Sequence, residues 1–408
     1  MKYQCSFHKL FLFLLGIWTT KISCESCSIL INGGLAEPQP LIMWPGIDST
    51  WAYPNKTGTK SIILESGDSL RLICLNSNFD IEELVNYSDT TVTCLHDTTV
   101  YFNEAKYEEV FENIACTSYP TETARKTSKT CPSGELCEIG FLTDDNIFHR
   151  TIEICHNETL AHTIVAKSKI LAVVDAAQTS FPRPSFKKGN FYPQISMARI
   201  YTRVNQRATL ATIVDSADLA LKYIPNSGNY YLARGHLVAK TDMIYGIQQR
   251  STFFYINSVP MWQNINAGNW ATLEANVRNY ATDNDVDLDI WSGSIDVLTL
   301  PDISGAEKEI WLYIDDNNNH GVPVPKILFK VAYDSISQTG TVFLIANNPF
   351  LESMTSEYSV CTDVSSQIDY MTWDRTRSDR GLSYCCEIDD FRKAFPDLDK
   401  FTTRGLLL

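Results

Sequence analysis

Three adjacent residues, Arg234-Gly235-His236 within NYYLARGHLVAKTDM (residues 229–243), are of types that can act together on one anionic group. An imidazole titrates near working pH, so His236 can accept or return a proton. The planar fork of a guanidinium lets Arg234 hold phosphate oxygens. Gly235 has no Cβ, so the backbone there can turn tightly or approach a phosphate closely. A histidine after Arg-Gly is more often structural than reactive, so its partners must decide between the two.

The elements that must carry these residues read as a mixed α+β domain over residues 165–408. KSKILAVVDAA, GVPVPKILFKVAYD and GTVFLIANNPF have the texture of buried strands. NWATLEANVRNYATD has helical spacing, with Trp270, Leu273 and Val277 on one stripe. CCEIDDFRKAFPDLDKF predicts a last helix, ended by Pro396. Residues 25–164 differ. They hold most of the cysteines and the three glycosylation sequons at Asn55, Asn86 and Asn157. SLRLICLN and TTVTCLHDTTVYF alternate in the way of short strands. This predicts a small β-rich, disulfide-stapled, glycosylated module.

Residues 1–24 read as a secretory signal peptide. Lys2, His8 and Lys9 precede an apolar run from Leu10 to Trp18, too short to span a bilayer. No later run approaches 18 apolar residues, so a soluble, extracellular chain without a membrane role is expected. Of 12 cysteines, removal of Cys5 and Cys24 leaves ten, which read as disulfides in an exported protein. Cys24-Glu-Ser-Cys27 has a redox or zinc spacing, but no second pair follows it, which favours a structural Cys27. The formal charge is −14, yet residues 181–250 hold ten Lys and Arg against three acidic residues. Such a stretch can concentrate a polyanion even on an acidic protein.

YLARGHLVAKTDM, followed by FFYINSVPMWQNINAGNWATLEANVR, resembles the DNA/RNA non-specific endonuclease family with its ββα-metal finger. Secreted insect forms, double-stranded-RNA-degrading or salivary, are the most similar. The resemblance covers roughly residues 165–400 and is dense over 229–280. It implies a central antiparallel sheet with flanking helices, and a secreted, Mg2+-dependent endonuclease acting on DNA, RNA or both. It further implies His236 as general base, Asn266 as the single protein ligand of one mostly hydrated Mg2+, and Glu274 orienting water in that ion's shell. Arg278 would steady the leaving group, and Asn257 would support the site. Spacings of eight and four place Asn266, Glu274 and Arg278 on one broad helix face. Arg183 and Lys240 are candidate phosphate contacts, with Arg199 and Arg250 further along the substrate path. Trp262 and Trp270 read as core, and His320 as part of an exposed turn.

Two positions depart from the family pattern. Ala233 stands where an Asp is usual, and Met261 where a Gln commonly follows Pro260. They leave open a nucleic-acid-binding salivary protein of the same fold with weak or vestigial catalysis. A weaker third reading is a secreted adhesion or inhibitor protein built on the β-rich module.

Overall fold

The computed structural model describes residues 26–47 and 49–408. The expected signal segment, with Cys5 and Cys24, lies outside the described residues. The described residues part into two compact units, one ending at Thr121 and one running from Glu122 to Leu408.

The first unit is β-rich, as its alternation predicts. Leu41–Met43, Ser69–Ile73, Asp89–His96, Thr99–Phe102 and Tyr107–Val110 form a five-stranded antiparallel sheet, and Cys27–Leu30 pairs with Ser61–Leu64. Asp89–His96 alternates inward and outward because successive strand side chains point to opposite faces. Asp97, at φ 53°, supports the turn into the next strand. Cys27–Cys94 and Cys74–Cys116 staple the unit, so Cys27 is structural. Asn55 and Asn86 are exposed.

The second unit is built on eight antiparallel strands in the spatial order Ser383–Glu387, Thr339–Ala346, Pro325–Asp334, Leu288–Val297, His162–Ile170, Phe148–Asn157, Gly134–Leu142 and Thr123–Cys131. The division expected between residues 164 and 165 therefore falls inside a strand, and the units part at Thr121/Glu122 instead. The change of composition at 165 follows cysteine and sequon density. Hydrogen bonding across the sheet continues through it. Cys131–Cys155 and the sequon at Asn157 belong to this sheet.

Both faces of the sheet are covered, so its central strands read as unbroken apolar runs. Leu328, Ala332, Phe343 and Ile345 face one core; Phe329, Val331, Val342 and Leu344 face the other. The second core packs the Ile388–Ala394 helix through Phe391. Cys385 and Cys386, expected to start that helix, lie in the edge strand and point to opposite faces. Cys386 pairs with Cys361, while Cys385 and Cys137 stay reduced in the first core.

That first core receives the site-bearing elements. Leu232–His236 and Ser258–Trp262 form a two-stranded antiparallel ribbon, with His236 opposite Ser258. A helix follows, Ala271–Asp283, entered through a π-turn at Asn266–Trp270. Leu273 and Val277 bury one helix stripe with Trp262 and Trp270, as expected of core tryptophans. Strand, strand and helix thus follow in the ββα order.

Candidate active site

The ribbon holds Arg234 and His236 on its first strand. Gly235 is required there for a reason other than a turn. Its backbone is extended, and an added Cβ would sit 2.6 Å from the Met261 Cβ and 2.7 Å from its terminal methyl. Met261 is fully buried over this glycine. The methionine that replaces a polar residue therefore fills core, where a polar side chain would need a buried partner.

His236 is half-buried between Phe186 and Phe253, with ring centroids at 5.0 and 4.9 Å. Its backbone carbonyl accepts from the Trp270 indole N–H at 3.2 Å, which ties the ribbon to the helix entrance. Its Nε2 has no hydrogen-bond partner among the described residues. An enclosed nitrogen without a partner costs about 1–3 kcal/mol, so it marks a place for water or ligand. Burial, with the Arg183 charge adding, lowers the His236 pKa to about 3. The imidazole is therefore in its neutral, proton-accepting form at neutral pH. Arg183 is exposed, and its charge also lowers the Lys240 pKa behind the larger effect of burial. Arg183, His236 and Lys240 thus share one electrostatic neighbourhood. The Lys240 ammonium donates to the Phe181 carbonyl, which anchors the segment carrying Arg183.

Arg234 has its guanidinium 5.3 Å from the Tyr201 ring centroid, 5.6 Å from Tyr255 and 5.7 Å from Phe186. Three ring faces hold the cation in place without neutralising it. Its Nε also lacks an acceptor among the described residues.

The helix side is a buried charge cluster, half of which the sequence did not reveal. Arg278 donates to Asp242 at 2.8 Å, and the Asp242 side chain is only 1 % exposed. Arg278 is thus held by a carboxylate rather than standing free for a leaving group. Burial pushes the Glu274 carboxyl up to about 7, the Asp242 charge adds to this, and Lys330 and Arg278 oppose it. Lys330 is fully buried, donating to Ser292 Oγ at 2.7 Å and to the Leu237 carbonyl at 3.3 Å. Its ammonium lies 5.3 Å from the Trp270 ring. Lys330 sits between Phe329 and Val331, which face away, so strand alternation aims it at the ribbon. A lysine inside the apolar run ILFKVA was the available signal for it.

Asn257 is fully buried and spends its amide on backbone. It donates to the carbonyls of Val238 and Thr252, each at 2.9 Å, and accepts from Val238 N–H at 3.1 Å. These bonds hold the loop after His236 in place. Arg250, placed on the substrate path by sequence, lies 3.8 Å from the buried Glu122 carboxylate. Arg199 remains exposed, bonded to Asn205. His320 is exposed beside a turn that the Asp315 carboxylate closes.

Asn266 opens the π-turn, half-buried, and its amide nitrogen donates to Gln263 Oε1 at 3.4 Å. That contact leaves the Asn266 Oδ1 as the atom that could meet a cation. Gly268 at the kink lies 3.1 Å from Arg380 backbone by its Cβ position, so only a small residue suits this turn. A neutral oxygen at Asn266 and the Glu274 carboxylate further along the helix are hard-oxygen donors. This fits a divalent ion such as Mg2+ that keeps most of its water.

Comparison with known proteins gives the family of the chain. Residues 132–391 match the model of the DNA/RNA non-specific endonuclease family, a family of metal-dependent nucleases. A salivary endonuclease of Lutzomyia longipalpis is 25 % identical over 91 % of this chain and 84 % of its own. A salivary endonuclease of Culex quinquefasciatus is 22 % identical over 92 % and 91 %, and the salivary protein Tsal2A of Glossina morsitans morsitans 22 % over 93 % and 94 %. Among solved structures, a chain of the EndoG/EndoGI complex aligns with 64 % of this chain and 89 % of its own, at TM-score 0.38 and 14 % identity. The family model spans more than half of the sequence, so the chain belongs to the DNA/RNA non-specific endonucleases and is a phosphodiester-cleaving hydrolase.

Proposed function

We propose that this protein is a secreted, Mg2+-dependent endonuclease that cuts DNA and RNA without sequence preference, with His236 as its general base. The observation that carries the reading is the His236 Nε2, enclosed at the end of the ribbon with no hydrogen-bond partner among the described residues. Mg2+ held by Asn266 would supply charge to stabilise the pentavalent phosphorane and its leaving oxygen. Arg183, with Lys240 beside it, draws the diester into the site. His236 would take the proton from the attacking water. Arg234, caged by three rings, offers its remaining donors to a non-bridging oxygen. Glu274 orients water on the helix side. Asp242, Arg278 and Lys330 set the charge around it, and Asn257 and Trp270 fix the strand end that carries the base.

Export is supported by four disulfides among the described residues and by the salivary relatives. Exposed Asn55 and Asn86 can carry glycans. Asn157, by contrast, already bonds the Ser133 carbonyl at 3.2 Å.

The test is a Mg2+ titration of cleavage with Asn266→Ala beside the native chain, together with ion binding followed by calorimetry. The reading expects EDTA to abolish cleavage without unfolding the protein, and the substitution to weaken both activation and binding at least about tenfold. Equal Mg2+ dependence in the two proteins would remove Asn266 as the ligand.

A further inference from the structure

We propose that the cavity walled by Phe186, Ile195, Met197 and Tyr255 is a nucleobase subsite, occupied by the base of a nucleotide flanking the scissile phosphate. This rests on the assignment of His236 as the catalytic base. Two of its walls are shared with the active site. Phe186 stands 5.0 Å from the His236 ring, and the Tyr255 ring is 5.6 Å from the Arg234 guanidinium. The cavity therefore adjoins the aromatic residues that hold His236 and Arg234.

The chemistry of the lining selects the occupant. Ile195, Met197 and Tyr255 are buried and give an apolar floor, while Lys188 and Ser196 are exposed at the rim. A nucleobase has that character: flat apolar faces and polar edges. The space is about 390 Å³ and open to solvent, room for one base. No carboxylate lines it. From Phe181 to Arg207 the chain carries six Lys and Arg and no acidic residue, which suits an anionic polymer and not a cation or a neutral lipid.

Stacking against Phe186 and Met197 accepts any base, because every base has a π-face. The subsite therefore adds binding without sequence preference. It also requires one base to leave its stack, so single-stranded or frayed substrate is cut faster than a rigid duplex.

The experiment uses Ser196→Trp, which fills the cavity from its exposed rim without touching His236 or Arg234, with Ala198→Phe as a second filling variant. Each protein, with a thermal melt to show that it is folded, is given a short single strand with all its bases or with one abasic residue. The native enzyme is expected to cut beside a base at least about tenfold faster than beside the abasic position, and the filled variants to cut both at the slower rate. Equal native rates at the two positions, or undiminished selectivity in both filled variants, would overturn the subsite. Cleavage that persists in His236→Ala would instead overturn the active-site assignment, which is a separate result.

Discussion

Replacing Arg278 with Ala isolates the buried ion pair that holds the helix to the loop after the ribbon. The Arg278–Asp242 contact is 2.8 Å, and the two side chains are 19 % and 1 % exposed. The remaining carboxylate would keep the Ala239 backbone N–H at 3.3 Å and the more distant charge of Lys330. Removing one partner of a buried pair costs about 3–5 kcal/mol, because the other charge is left uncompensated. The two residual contacts place this case near the lower end, at about 3 kcal/mol. For a unit approaching 300 residues the unfolding entropy is about 0.6 kcal/mol/K, so melting should fall by about 5 °C. The assay is thermal and urea denaturation with disulfides intact, completed as a cycle with Asp242→Asn and the double substitution. The double variant should recover at least about half of the loss, because the orphaned charge is gone. An Arg278→Ala melt within about 1 °C of native, with strongly reduced cleavage, would refute this reasoning. It would mean that the pair is screened by water and that Arg278 serves the substrate directly.

Lys330→Met should cost about 3 kcal/mol and slow cleavage, since it removes the donor to the Leu237 carbonyl next to His236 and strips the countercharge from Asp242 and Glu274; urea midpoints and initial rates measure the two effects. Stability should fall with acid through buried His156 and half-buried His162, beside the contribution of His236. Burial lowers His156 to about 3 and His162 to about 4, so the unfolded chain binds their protons first. Their contribution is complete above the unfolded value of about 6.5 and is lost as pH drops from there toward 4 and 3. His156→Leu/His162→Leu should flatten the stability profile over that window, read by denaturant midpoints at each pH. Nucleic-acid binding measured in EDTA should weaken steeply with salt, and Arg183→Ala should reduce the slope by about one.

The sequence exposed elements whose pattern is local. TTVTCLHDTTVYF alternates and turns at Asp97, and the structure has that hairpin. Arg234 and His236 were legible because their neighbours in sequence are their neighbours on the strand. What was hidden depends on distant segments. Asp242 and Lys330 become partners of the site only when the sheet and the ribbon are stacked. Arg250 looked like a free charge until Glu122 was brought beside it. Gly235 suggested a turn and instead makes room for Met261, a cross-strand effect with no local mark. The π-turn at Asn266–Trp270 leaves only Gly268 as a trace, and the even helical spacing assumed from Asn266 to Arg278 is broken there. The change in cysteine density near residue 165 does not mark a boundary, since one sheet spans both sides of it.

The central claim is that this chain turns over nucleic acid with His236 as the base. The direct measurement is a digestion time course on plasmid and double-stranded RNA, with enzyme far below substrate, in Mg2+ or EDTA, for native protein and His236→Ala. The expected result is many Mg2+-dependent turnovers by the native chain and none by the variant, which still folds and shifts nucleic acid in a salt-sensitive way. Retained turnover in His236→Ala would contradict the mechanism. Binding without turnover in both proteins would show a capture protein on a nuclease fold.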